Sequence, residues 1–252
     1  MISVGDMATE VVTTASTWDS EFWGERTGRI HVDTHDPPSL AGLCAAIASA
    51  QKTYDFVQLL VPAAHLHHAQ AAEHAGFVVV DVRCELVLER RAYRADASPD
   101  TSIRSATSFE VAPIADLAAV CHSNSRFGVD PLLPRSRVED LYRRWIYRDI
   151  STDGWVLAAS HTNGALAGYI SFGRPSDGDG TIGLVGVAPC ARGDGLGARM
   201  VSYAAESLFA TGCARVKVVT QGGSTPAMKT YQRCGFDVEQ LGCWLHWHRR
   251  RD

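Results

Sequence analysis

The sequence lacks any apolar stretch long enough to span a bilayer, and its first residues, MISVGDMATE, carry neither a basic start nor an apolar run of signal-peptide length. These absences set the expectation of a cytoplasmic protein with no membrane partner. A large charge excess is missing too. A formal net charge of −4 at pH 7 gives no reason to expect nucleic acid, and the short basic run His248 to Arg251 reads as a solvated tail. The seven cysteines are odd in number and include no C-x-x-C pair, which argues against a disulfide framework and a zinc ribbon. His65, His67, His68 and His74 crowd one helix, but no cysteine or carboxylate set accompanies them at ligand spacing. No metal site is expected, and these histidines read as a polar helix face. The oligomeric state, monomer or homodimer, stays open.

What the chain does have is a strand, a glycine-rich turn and a helix, centred on APCARGDGLGAR, Ala188 to Arg199. TIGLVGV before it reads as a buried strand. After it Leu196, Met200, Val201, Ala204, Ala205, Leu208 and Phe209 recur at helical spacing up to Gly212. Such a turn suits an anion, because glycines let the backbone come close and the first N–H groups of the helix point at the ligand. Tight packing is an equally ordinary use of it. No Lys-Ser/Thr follows the glycines, as a nucleoside-triphosphate loop requires, and Gly193, Gly195 and Gly197 do not give dinucleotide spacing.

The spacing of Arg192, Gly195 and Gly197 resembles the Arg/Gln-x-x-Gly-x-Gly/Ala acetyl-coenzyme A loop of the GNAT acetyltransferase superfamily. STPAMKTYQRCGF, with Ala227, Tyr231, Gly235 and Phe236, resembles the superfamily's downstream helix. The resemblance implies a GNAT fold, a mixed and mostly antiparallel sheet flanked by helices, with acetyl-CoA as cosubstrate and no metal. It implies that Leu184, Val185, Gly186 and Val187 pair with the pantetheine arm where the sheet opens. Arg192, Gly193, Asp194, Gly195, Leu196, Gly197 and Ala198 then hold the pyrophosphate, and Ser224 and Ala227 line the coenzyme further on. Ser224 departs from the superfamily, which often has Asn there. Tyr231 becomes the general acid for the departing thiolate, since a phenol is a donor at neutral pH.

In chain order, Thr17 to Asp33 is aromatic-rich and ends in strand-like alternation, and a helix is predicted from Pro38 to Lys52. FVQLLV, a helix ending at Gly76 and two more strands up to Glu89 follow. Sliding the chain by 159 positions lays Phe56 to Arg90 over Arg215 to Arg249 without a gap, with Gly76-Phe77 on Gly235-Phe236. This suggests two copies of one unit. Ala72 then stands opposite Tyr231, and Asp33, Asp36 and Pro38 stand opposite Arg192, Gly195 and Gly197. The first copy is therefore read as an empty, partial GNAT-like α/β domain, residues 1–90. A polar linker, 91–102, and the catalytic GNAT domain, 103–252, complete the expected organisation.

The catalytic part is read as a short strand at Ile103, a helix to His122 and a long loop, Asn124 to Ser136. A helix with Leu141, Trp145 and Ile146 facing the core follows, and then a hairpin around TNG. For the general base, His122, His161, Asp149 and Asp153 are available, with His122 placed first because it precedes the loop. WDSEFWG, Ser125 to Phe127 and QGGSTPA resemble the branch of the superfamily that acetylates the 4-amino group of dTDP-linked amino-dideoxy sugars. That likeness implies a dTDP-amino sugar as small-molecule substrate, with Arg126 pairing with a diphosphate and Phe127 stacking on a base or sugar. A free small amine, an antibiotic or a peptide N-terminus is the alternative acceptor, and a non-catalytic CoA-binding scaffold the alternative role.

Overall fold

The computed structural model describes residues 11, 13–94, 102–151, 155–174 and 178–250. Among them the chain runs β1 (Thr13–Ala15), α1 (Thr17–Trp23), β2 (Thr27–His31), α2 (Leu40–Thr53), β3 (Phe56–Pro62), α3 (Leu66–His74) and β4 (Val78–Glu89). It continues with β5 (Ile103–Ser105), α4 (Val111–Cys121), α5 (Arg135–Ser151), β6 (Trp155–Ser160), β7 (Leu166–Gly173) and β8 (Gly180–Val187). Then come α6 (Leu196–Ala210), β9 (Arg215–Gln221), α7 (Thr225–Arg233) and β10 (Asp237–His248).

Two compact units are formed, and the first is not a continuous piece of chain. The first takes Met1–Arg83 together with Gln240–Asp252, and the second takes Cys84–Glu239. The division differs from the expected 1–90, 91–102 and 103–252, and the reason is the length of β4 and β10. Each is a 12-residue strand that begins with one unit and ends with the other. The two strands expected up to Glu89 are thus one. Most of the expected linker, residues 95–101, lies outside the described residues.

In the first unit the strand order is β1-β2-β3-β10, with β2 and β3 parallel and the other neighbours antiparallel. Its core gathers Ile30, Leu43, Ile47, Leu59, Val61, Phe77 and Leu245. The aromatic stretch opens as helix α1, and its alternating end forms β2. Pro38 lies before α2, whose N-cap is Ser39 with its hydroxyl accepting the Gly42 N–H at 3.1 Å. The histidines do not all share one polar face, although His67 and His74 are exposed on α3. His68 is buried, its Nε2 2.7 Å from the Pro38 carbonyl, and His65 Nε2 lies 2.9 Å from the Thr34 carbonyl.

The second unit orders its strands β4-β9-β8-β7-β6-β5; β5 to β8 are antiparallel, and β8 with β9 is parallel. α6 buries Leu196, Met200, Val201, Ala204, Ala205 and Leu208 at helical spacing and packs on β7 and β8. α4 also packs on these strands, and α5 packs on α4, burying Leu141 and Ile146 while Trp145 stays half-buried.

The shift of 159 positions is reproduced by the elements. It carries β3 onto β9, α3 onto α7 and β4 onto β10, end to end. Gly76 and Gly235 both close their helices at φ +88°. The same bond closes each turn, Phe77 N–H to Ala72 carbonyl and Phe236 N–H to Tyr231 carbonyl, both at 3.1 Å.

Candidate active site

The parallel pair β8 and β9 is short. Its register ends at Ile182 opposite Val218, although β8 runs on to Val187. From there Val185, Gly186 and Val187 pair only with β7, opposite Ile170, Tyr169 and Gly168. The β9-facing edge of β8 is thus open over the residues expected to meet a pantetheine arm. A β-bulge helps turn β8 away, with Gly183 and Leu184 standing opposite Ser171 between the pairs Ile170–Val185 and Phe172–Ile182.

Beyond the open edge a turn at Pro189–Ala191 leads to the glycine loop. Gly193 and Gly195 have φ of +103° and +75°, conformations that a side chain would strain, while Gly197 has room for a methyl group. Gly195 is the N-cap of α6 and offers no side-chain cap, and the first intrahelical bond recorded at this end is Arg199 N–H to Gly195 carbonyl at 3.1 Å. The N–H groups of Leu196, Gly197 and Ala198 are therefore left for a ligand, at the positive end of the helix. Arg192 is exposed and ties the loop to the strand, its Nε 3.1 Å from the Val187 carbonyl. Asp194 is exposed and contributes its backbone; its carbonyl accepts from Arg199 at 2.6 Å.

α7 supplies the candidate acid. Tyr231 is buried at 5% exposure against Phe236, in the cluster that also receives Val185, Val187 and Ala227. Burial raises its pKa strongly, with Cys234 adding to the effect, so the phenol keeps its proton at neutral pH. Ser224 caps α7 by position, but its side chain makes no cap bond.

His122 lies at the end of α4. Its Nε2 is 2.8 Å from the Tyr169 hydroxyl and its ring stacks on Tyr142 at 4.9 Å. Burial lowers its pKa to about 4, so it is neutral at physiological pH and a weak proton acceptor. Tyr169 is fully buried, its pKa raised well above a phenol's by burial and by the charges of Cys121, Tyr142, Asp149 and Tyr231 around it. Its ring lies against Gly186, where an added Cβ would overlap it. Of the other candidate bases, His161 sits by Cys190 at 3.8 Å, Asp149 accepts a hydrogen bond from Ser171, and Asp153 is outside the described residues. Phe127 is not placed to stack on a nucleotide. It is buried at 2% exposure with the Arg126 guanidinium 4.3 Å over its ring, so it serves as the platform for Arg126.

The corresponding place in the first unit is closed. β2 and β3 stay paired over five positions, from Thr27–Phe56 to His31–Leu60. The Asp33 carboxylate accepts the N–H groups of His35 at 2.7 Å and Asp36 at 2.9 Å, so a side chain takes the donors that an anion would use. α2 is capped by Ser39 and Ala72 stands in the tyrosine's place, so the described residues of this unit assemble no counterpart of the open edge, uncapped helix and tyrosine.

Residues 118–236 match the family model described as Acetyltransferase (GNAT) family. This stretch is a GNAT acetyltransferase domain. The chain accordingly carries an acyltransferase domain, of a family that uses acetyl-CoA as cosubstrate. Over 232 residues it is 25% identical to a dTDP-fucosamine acetyltransferase of Escherichia coli O6:H1, covering 91% of this chain and 95% of that protein. A mycothiol acetyltransferase of Saccharopolyspora erythraea is 27% identical over 247 residues, covering 84% of this chain and 79% of its own. Among solved structures, a tandem GNAT protein from the clavulanic acid biosynthesis pathway shares the fold, with a TM-score of 0.59, 15% identity and coverage of 90% and 76%.

Within the GNAT domain two features escaped the sequence reading. One is Tyr169 with His122 beneath Gly186, and the other is Ser171 with Asp149 beside Gly183. A signal for both was present. Glycines at 183 and 186 interrupt an otherwise branched apolar strand, and a glycine inside a strand marks a bulge or a close approach.

Proposed function

We propose that this enzyme transfers the acetyl group of acetyl-CoA to the amino group of a dTDP-linked amino-deoxy sugar, by direct attack of the amine on the thioester. The observation that carries the transfer chemistry is the open edge of β8 leading to the uncapped N-terminus of α6. In this reading the backbone of Leu184 to Val187 pairs with the pantetheine arm, and an N–H near Val187 polarises the thioester carbonyl. Arg192 and the N–H groups from Gly193 to Ala198 take the pyrophosphate. Ser224 and Ala227, at the start of α7, border the coenzyme beside Tyr231. The bound coenzyme supplies the activated acetyl group. Tyr231 protonates the sulfur as it departs, a role suited to a buried phenol that holds its proton. His122 orients Tyr169 and acts as a positioning residue, because its imidazole is already engaged and weakly basic.

The sugar reading rests on the dTDP-fucosamine acetyltransferase, which parallels this chain along nearly its whole length. Arg126, whose guanidinium lies over the Phe127 ring, is the cation offered to the diphosphate. The mycothiol acetyltransferases favour a second reading, a small acceptor without a nucleotide. Thiol release from acetyl-CoA, followed with dTDP-4-amino-4,6-dideoxygalactose and with simple amines side by side, tests the two. Turnover confined to the dTDP sugar is expected, and turnover with nucleotide-free amines alone refutes the sugar reading.

A further inference from the structure

Gly183 and Gly186 leave one side of β8 bare, away from α6, and polar groups come up to it. Beside Gly186 is the ring of Tyr169. Beside Gly183 are Ser171 and Asp149; a Cβ built on Gly183 would lie 2.7 Å from the Ser171 hydroxyl and 3.5 Å from Asp149 Oδ2. The Ser171 hydroxyl is buried and makes two bonds, to the Leu184 N–H at 2.9 Å and to Asp149 Oδ2 at 2.8 Å. A backbone N–H can only donate, so the hydroxyl accepts from Leu184 and must give its own proton to Asp149. The carboxylate oxygen is thereby fixed as an acceptor, aimed at the bulge where β8 leaves β9.

A hydroxyl at position 171 needs only a neutral acceptor to hold the bulge. The residue α5 brings there is charged, half-buried, and keeps 19% of its side chain exposed. Arg148, next to it on α5, lies 3.3 Å from Oδ1, and from β7 come Ser171 and the neutral Tyr169, with His122 of α4 behind. β8 presents no side chain at Gly183. A cation approaching the open edge of β8 therefore meets this carboxylate next to the backbone.

We propose that Asp149 receives the acceptor's ammonium group and removes its proton, with Ser171 as the positioning residue that fixes the carboxylate beside Gly183. The assignment rests on the acetyl-transfer reading and adds the base that it lacks. The ammonium carries two protons that the amide product does not. One passes to Asp149 and from it to solvent. The amine's lone pair then forms the C–N bond as the C–S bond breaks. The nitrogen's second surplus proton balances the one Tyr231 gives to the sulfur, so the tyrosine returns to its phenol form.

Asp149→Asn preserves size and can still accept from Ser171, so it tests the charge without emptying the site. The acceptor for the test is whichever amine the wild type acetylates. A failure of the sugar reading thus shows in that choice and leaves this comparison intact. At pH 7, kcat is expected to fall about 100-fold or more, with acetyl-CoA affinity, read by calorimetry, unchanged within about twofold. The deficit should shrink by about tenfold per pH unit as the pH approaches the amine's own pKa, because a neutral amine no longer needs the base. Ser171→Ala should show the same pH trend with a smaller loss. A wild-type kcat in Asp149→Asn, or a loss equal at every pH, overturns the proposal.

Discussion

Acidifying the protein should expose the cost of burying His122. Its pKa in the folded protein lies at about 4, below the ordinary value of 6.5, because the ring is enclosed by Tyr142 and Tyr169. Between those two values the unfolded chain binds the proton and the folded one does not. Stability linked to His122 is therefore complete above pH 6.5 and is lost as the pH falls toward 4. At roughly 1.36 kcal/mol per pH unit, the interval corresponds to about 3 kcal/mol at most. Other groups titrate in the same range, so the quantity to measure is a difference. Urea unfolding of the wild type and of His122→Gln, at half-unit steps from pH 7 to 4.5, gives ΔG for each. The wild type should lose about 2 kcal/mol more than the variant across that range. Parallel curves would show that the imidazole protonates in place at little cost, and the positioning role given to it would fall.

Tyr231→Phe keeps the packing against Phe236 and removes the proton donor; kcat should drop at least tenfold with the calorimetric affinity for acetyl-CoA unchanged. Gly195→Ala places a side chain at φ +75°, a strain of about 1–2 kcal/mol at the helix start, and should raise the Michaelis constant for acetyl-CoA several-fold. Asp33→Asn with Asp36→Asn should leave acetyl-CoA affinity as in the wild type, and a loss in a folded protein would contradict the closed state of the first unit.

The glycine loop, α6 and the tyrosine helix were legible because their signals are local: a glycine where φ must be positive, an apolar stripe of helical period, a tyrosine at fixed distance from Gly235. The repeat was legible for the same reason, and its shift fits the elements at both ends. Partnership between strands was not legible. Nothing in β4 or β10 states which unit each will join, since an alternating strand fits any edge of suitable register. The base was obscured in the same manner. Asp149 and Ser171 are 22 positions apart and meet only because β7 brings Ser171 under α5 beside a glycine. Phe127 misled because aromatic character reads equally as platform and as core.

The exchange of β4 and β10 bears on how the chain can be made. On the ribosome the first unit emerges with its sheet ending at β3, and β10, which pairs with β3, is translated only after the whole of the second unit. The early chain must wait with the edge of β3 uncovered, a surface prone to pair with other nascent chains until β10 emerges. Cutting the gene between the two copies would strand one foreign segment on each fragment, so the halves of this duplication have become a single heritable piece.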